Sequence, residues 1–278
     1  MTGKLKKLSK NTMEEDIHSP ILSKNIIYNK QAVLFILLGA FFITNALLAE
    51  FIGVKIFAVE TSLGLSPLNW QLFGQQGSLS LSAGVLLWPV VFIITDIINE
   101  YFGSKGVKLL SYIGVGMISY AFIMIYLAIY LVPADFWIAS LSSSGVPNMQ
   151  DAFSAIFGQG AWIIVGSIVA FLVGQLIDAM VFQRIRKWTN ERWLWLRATG
   201  STVISQLIDS FLVLYIAFVL GPQQWEISLF LAVGLVNYAY KFTVAVLLTP
   251  TLYILHYFID RFLGEENSAR LRAAAIGE

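Results

Sequence analysis

The sequence predicts an all-α polytopic integral membrane protein with six transmembrane helices and both termini in the cytoplasm. Hydrophobic residues make up 57% of the 278 positions and charged residues only 13%, about half the charged share of a soluble domain. That surplus cannot be hidden in one soluble core. Several apolar runs reach the roughly 20 residues that a helix needs to cross a bilayer. Sixteen of the eighteen lysines and arginines fall in the N-terminal arm, the second–third turn, the fourth–fifth loop and the C-terminal tail. By the positive-inside rule those four segments share the cytoplasmic side, which requires an even number of spans.

Residues 1–30 are lysine-rich, with Glu14, Glu15 and Asp16 in the middle, and read as a solvated, poorly ordered arm. No cleavable signal precedes the first apolar run. The transmembrane domain is placed at 31–260 and a polar cytoplasmic tail at 261–278. The first span covers Gln31–Ala49, interrupted by Asn45 and ended by Glu50. Residues 51–78 are too polar to span and leave an interfacial or re-entrant piece open. The second span is read as Leu79–Ile98, closed by the turn Gly103-Ser-Lys-Gly106, and the third as Leu109–Leu131 before Pro133. A loop over 132–160 carries no Lys or Arg. The fourth span, Ala161–Phe182, runs into a basic, tryptophan-rich loop. The fifth covers Ala198–Leu220 and stops at Gly221-Pro222. The sixth covers Ser228–Phe258, with Thr249-Pro250 read as a kink or break.

Polar residues stand where lipid-facing ones would be expected. Asp96, Asn99 and Glu100 sit at i, i+3 and i+4, on one side of their helix. The fourth span contains Gln175-Leu-Ile-Asp178 and the fifth Gln206-Leu-Ile-Asp209, each pair again on one face. The sixth offers Asn237 and Lys241 at i, i+4. A carboxylate at the bilayer centre costs roughly 2.5–3.5 kcal/mol on insertion scales and generally faces the bundle interior or a cavity. Asp96 and Asp209 lie deepest and are read as functional. Asp178 is read either as functional or as a partner of Arg184 or Arg186. Glu100 is read as an interfacial ion pair with Lys105 or Lys108, or a gate. Ser201, Thr202 and Ser205 are read first as packing residues, and a structural ion pair of Lys241 with an Asp stays open.

A net charge of +1 argues against a nucleic-acid partner. The absence of cysteine excludes disulfides and thiolate metal sites. With His18 and His256 the only histidines, no metal or cofactor is expected. No GxxxxGK[ST] motif is present, and neither deep Asp has the Gly-x-Gly-Asp setting of an intramembrane aspartyl protease, so the chain is not expected to be an enzyme.

Pro89, Phe92, Thr95-Asp96, Asn99-Glu100 and Gly103 together resemble the signature of the vitamin uptake transporter family, also described as queuosine precursor transporters. The resemblance continues through Thr44-Asn45 and Lys55, Gly174-Gln-Leu-Ile-Asp178 with Phe182, and Gly200-Ser-Thr with Ser205-Gln-Leu-Ile-Asp209. It ends with Tyr240-Lys241, Thr249-Pro250 and Tyr253. It implies import of a 7-deazaguanine such as preQ0 or preQ1 across the bacterial inner membrane by a secondary transporter, with proton coupling an open option. The expected substrate-binding set is Asp96, Asn99, Gln175, Asp178, Gln206, Asp209, Lys241, Asn237 and Asn45. Glu100, Lys55, Ser201 and Ser205 are expected at a gate or ion pair. The partners expected are the base and the lipid bilayer, and a homo-oligomer stays open. A binding subunit served by a separate ATPase is the alternative reading.

Overall fold

The computed structural model describes residues 29–276, so all but the end of the N-terminal arm lies outside the described residues. In chain order the helices are α1 (Lys30–Ile52), the single turn α2 (Val59–Ser62), α3 (Trp88–Tyr130), the short α4 (Asp135–Ile138), α5 (Met149–Phe157), α6 (Ala161–Trp188), α7 (Leu194–Leu214), α8 (Ile227–Leu263) and α9 (Glu265–Ile276). Four three-residue strands lie before α3: β1 (Ile56–Ala58), β2 (Trp70–Leu72), β3 (Gln75–Gly77) and β4 (Ser80–Ser82). Five helical stretches among the described residues are long and apolar enough to cross a membrane: α1, α3, α5 with α6, α7 with a π-helical turn at Tyr215–Val219, and α8.

The difference between five stretches and six expected spans lies at Gly103. This residue interrupts α3 with φ 69° and ψ −177°, a region essentially restricted to glycine. Trp88 packs at a tilt against Phe171 with ring centroids 5.6 Å apart, and Gly114 packs against the same ring. On a straight helix those two residues would be roughly 39 Å apart at 1.5 Å per residue. The chain therefore doubles back at Gly103, and α3 is two antiparallel arms, 88–102 and 104–130. Thr95, Asn99 and Glu100 meet Gln175, Ala179 and Arg186 in that order, so the first arm runs parallel to α6. The second runs against it, with Tyr126 reaching Gln159.

The expected start of the second span at Leu79 is corrected. Residues 80–82 pair with 56–58 as an antiparallel β1–β4 ladder, and Ala83–Leu86 form a 3-10 turn. The helix starts at Trp88 because Pro89, which lacks an N–H, fits only a first turn. The polar 51–78 segment folds into β1, α2 and the β2–β3 hairpin, tied down by the buried Glu60. One oxygen of that carboxylate accepts from the backbone N–H of Leu79 at 2.7 Å and of Leu68 at 3.1 Å. These donors hold the Glu60 carboxyl below its ordinary range, Leu79 most strongly. Of the kink or break expected at Thr249-Pro250, the break is corrected: α8 runs through Pro250 to Leu263. Among the described residues, the tail carries the helix α9.

Helices α6 and α7 form the closest pair. A Cβ added at Gly166 would stand 3.1 Å from the Val213 carbonyl, and one at Gly174 3.5 Å from the Asp209 Cβ. Small residues at these crossings let backbones approach where lipid supplies no hydrophobic drive. That approach sets the two Gln-Leu-Ile-Asp segments side by side.

Candidate functional site

Three helices supply the buried polar cluster. Thr95 donates its hydroxyl to Gln175 Oε1 at 2.8 Å, joining the first arm of α3 to α6. Ser205 donates to Asp178 Oδ1 at 3.0 Å, joining α7 to α6. Asn99 donates to the Ala179 carbonyl at 3.2 Å, and Gln183 donates to Asn99 Oδ1 at 2.7 Å. Asp96, Asn99, Gln175, Asp178, Ser205 and Gln206 are all at most 3% exposed.

Within this cluster several buried polar atoms have no partner: Asp96 Oδ1, Asp178 Oδ2, Gln175 Nε2 and Gln206 Nε2. Native interiors satisfy nearly all such atoms, so an unmatched set of two acceptors and two donors in one place calls for an explanation. A ligand with complementary edges supplies one.

Two cavities approach the cluster from opposite ends. The smaller, about 40 Å³, is lined by Phe92, Asp96, Thr202 and Gln206. It holds two or three waters at most. The larger, about 690 Å³, is lined by Glu50, Ser167, Asp209, Ser210 and Asn237, a size typical of small-molecule sites. Trp88 and Lys241 line both. Lys241 donates to Asp209 Oδ2 at 2.5 Å, so a side wall of indole and an ion pair separates the two spaces. The large cavity is bordered by the β1 and β4 segments, Gly158–Gly160 and Phe218, away from the basic loops.

At the other end the interior is closed by charge. Glu100, on the first arm of α3, receives Arg197 in a bidentate pair at 3.0 and 2.8 Å. Arg186 approaches the same carboxylate at 3.7 Å and bonds the Glu100 carbonyl at 3.0 Å. All three side chains are at most 5% exposed. Arg186 also donates to the Arg272 carbonyl on α9 at 2.9 Å. Beside it, Tyr101 donates to Asp260 at 2.7 Å and lies 3.0 Å from His256 Nδ1.

The expected site residues therefore divide. Asp96, Asn99, Gln175, Asp178 and Gln206 come together with Ser205. Asp209, Lys241 and Asn237 lie at the boundary with the large cavity. Ser201 and Ser205 both bond back to their own helix, at Ala198 and Thr202, and Ser205 also donates to Asp178. Asn45 bonds the Phe41 carbonyl of its own helix, and Lys55 is exposed among the strands. Glu100 pairs with Arg197 and Arg186, not with Lys105 or Lys108, both of which are exposed. Arg186 is thereby engaged away from Asp178. Sequence reasoning missed Glu50 and Ser167, which bond to each other on the large cavity. Glu50 had been read as a span boundary. It also missed the partnership of Arg197 with Glu100, because Arg197 counts as a loop charge until α7 is seen to begin at Leu194.

A bundle of apolar helices enclosing an unsatisfied polar cluster, with a large cavity on one side and a charge-closed end on the other, has the build of a membrane transporter. Residues 82–255 match the family model described as "Putative vitamin uptake transporter", and the chain belongs to that family. It is 30% identical over 184 residues to a "Probable queuosine precursor transporter" of Bacillus subtilis, covering 66% of this chain and 73% of the relative. It is 24% identical over 193 residues to the "Queuosine precursor transporter" of Escherichia coli, covering 69% and 80%. No solved structure matches the chain.

Proposed function

We propose that this protein imports queuosine precursors, 7-deazaguanines such as preQ0 or preQ1, across the bacterial inner membrane as a secondary transporter. The observation that carries this reading is the unmatched set Asp96 Oδ1, Asp178 Oδ2, Gln175 Nε2 and Gln206 Nε2. A 7-deazaguanine presents adjacent ring N–H and exocyclic amine donors, which suit a carboxylate accepting two hydrogen bonds. Its carbonyl and ring nitrogen suit the two amides. Trp88 offers a flat surface along the path, and stacking on an aromatic ring serves any base. The names of the relatives agree with this substrate class.

We read the topology as six crossings, with the two arms of α3 as separate spans and both termini cytoplasmic. The large cavity then faces outward and the Glu100–Arg197–Arg186 network is the closed cytoplasmic gate. Alternating access follows from opening that network while the outer cavity closes on the substrate.

The test is restoration of queuosine in tRNA. A host lacking both precursor synthesis and its own importer is given this chain alone and fed each base in turn. Restoration by preQ0 or preQ1, lost in Asp96→Asn with normal membrane insertion, is the expected result. Restoration by neither base overturns the proposal, and restoration only with a co-expressed ATPase module favours the binding-subunit reading.

A further inference from the structure

We propose that Glu50 is the coupling site of this transporter and that the ion it carries is a proton taken from the outer cavity. The inference rests on the transport reading above. Among the described residues, Glu100 is matched by Arg197 and Arg186, and Asp209 by Lys241. Glu50, Asp96 and Asp178 have no cation of the described residues within salt-bridge distance. Asp96 lines the small cavity and Asp178 is wholly buried, both in the substrate cluster. Glu50 is the unmatched carboxylate that lines the large one, although it is only 6% exposed. The charged groups facing it across that cavity are Asp209 of α7 and Lys241 of α8. From α6 it receives only the Ser167 hydroxyl, which donates to Oε1.

The surroundings favour a proton over a metal cation. A sodium ion needs several converging oxygens. Here the Glu50 carbonyl is engaged by Gln159 Nε2 at 3.0 Å, and no cluster of three or more acidic or histidine ligands occurs among the described residues. The unpartnered Ser210 Oγ, 1% exposed on the same cavity wall, is a single hydroxyl.

A charged Glu50 must keep water around it, which holds the outer cavity open. A proton from that water onto the carboxylate removes the need, and the cavity closes over a neutral acid. Asp209 provides the way on. Lys241 lines both cavities, and bare Asp96 Oδ1 lies on the far side of it. As the base leaves Asp96, Lys241 moves from Asp209 to Asp96; it stays a cation and leaves Asp209 able to accept the proton from Glu50, which returns to its carboxylate. Asp209 then releases the proton inward.

The test uses purified full-length protein in proteoliposomes and whichever labelled base, preQ0 or preQ1, restores queuosine in cells. With the outside one pH unit more acidic, the wild type accumulates the base about tenfold at one proton per base. Glu50→Gln is expected to lose accumulation, to a ratio near one, while retaining exchange of internal for external base at the wild-type rate. Glu50→Asp, which keeps a titratable group, is expected to retain accumulation. Continued accumulation by Glu50→Gln, its loss in Glu50→Asp, driving by a sodium gradient alone, or failure of exchange in Glu50→Gln each overturns the proposal. Failure of the wild type to bind or exchange either base instead overturns the transport reading, and this inference with it.

Discussion

Removing the Glu100 carboxylate tests whether the buried network is a gate or merely part of the fold. In Glu100→Gln the Arg197 guanidinium, 5% exposed, loses both bonds of a bidentate pair, and Arg186, wholly buried, loses its nearest anion. Breaking a buried pair by deleting one partner costs about 3–5 kcal/mol, because the other charge is left uncompensated. If the open-gate state lets water reach both arginines, most of that cost falls on the closed state alone. Even 3 kcal/mol of differential destabilisation shifts the open-to-closed ratio more than a hundredfold. The protein has no cysteine, so Thr202→Cys introduces the sole thiol, at a buried position on the wall of the small cavity. A membrane-impermeant maleimide applied to inside-out vesicles should modify it at least tenfold faster in Glu100→Gln than in the parent. The double variant Glu100→Leu/Arg197→Met should regain part of the lost thermal stability, yet keep fast labelling. A fall in Tm with unchanged labelling would refute the gate and leave the network a structural element.

Three further outcomes are expected. Asp209→Asn leaves Lys241, 12% exposed, without its anion; loss of a charge-assisted bond worth about 1.5–3 kcal/mol should lower uptake by about 10- to 100-fold, and Asp209→Asn/Lys241→Met should not recover it if Lys241 moves during transport. The Glu60 carboxyl is held below its ordinary 4.5 by the Leu79 and Leu68 amides, so the stability it lends residues 53–87 is present above that value and lost as pH falls through the lowered one; amide exchange at Leu68 and Leu79 should accelerate across that acid range in the wild type and show no such step in Glu60→Gln. Gly103→Ala places a side chain at φ 69° and ψ −177°, at a cost of about 1–3 kcal/mol, which should appear as a lower Tm measured in detergent with no change in base affinity.

Helix content and most span boundaries were legible because lipid demands long apolar runs and satisfied backbone groups. The second span was misplaced at its start because Leu79–Leu87 is apolar enough for a helix, whereas its backbone pairs with β1 and only Pro89 marks where helix can begin. Gly103 was visible as a turn residue. That one glycine reverses the chain, with helix resuming at once through Ser104-Lys-Gly106, depends on its ψ angle and on both arms meeting Phe171. The cluster of Asp96, Gln175, Asp178 and Gln206 was readable from i, i+3 spacing alone, since an expensive polar face must find an interior. The choice of partners was not. Spacing cannot say that Arg197 reaches Glu100 while Lys241 reaches Asp209, because each pairing depends on how far one helix has slid past another.

The direction of packing gives the structure its functional sense. The two Gln-Leu-Ile-Asp segments look like equivalent halves of one site, but α6 and α7 run antiparallel, with Gly174 packed against Asp209 and Asp178 against Ser205. Their carboxylates therefore point to opposite ends of the pair, Asp178 in the buried interior and Asp209 at the large cavity beside Lys241. Similar tetrapeptides therefore meet different environments. One carboxylate is buried with a bare oxygen; the other is already neutralised by a cation that also lines the small cavity with Asp96. A static binding protein has no use for a counter-ion placed between two chambers. A transporter does, because substrate passing from one to the other changes which carboxylate needs it.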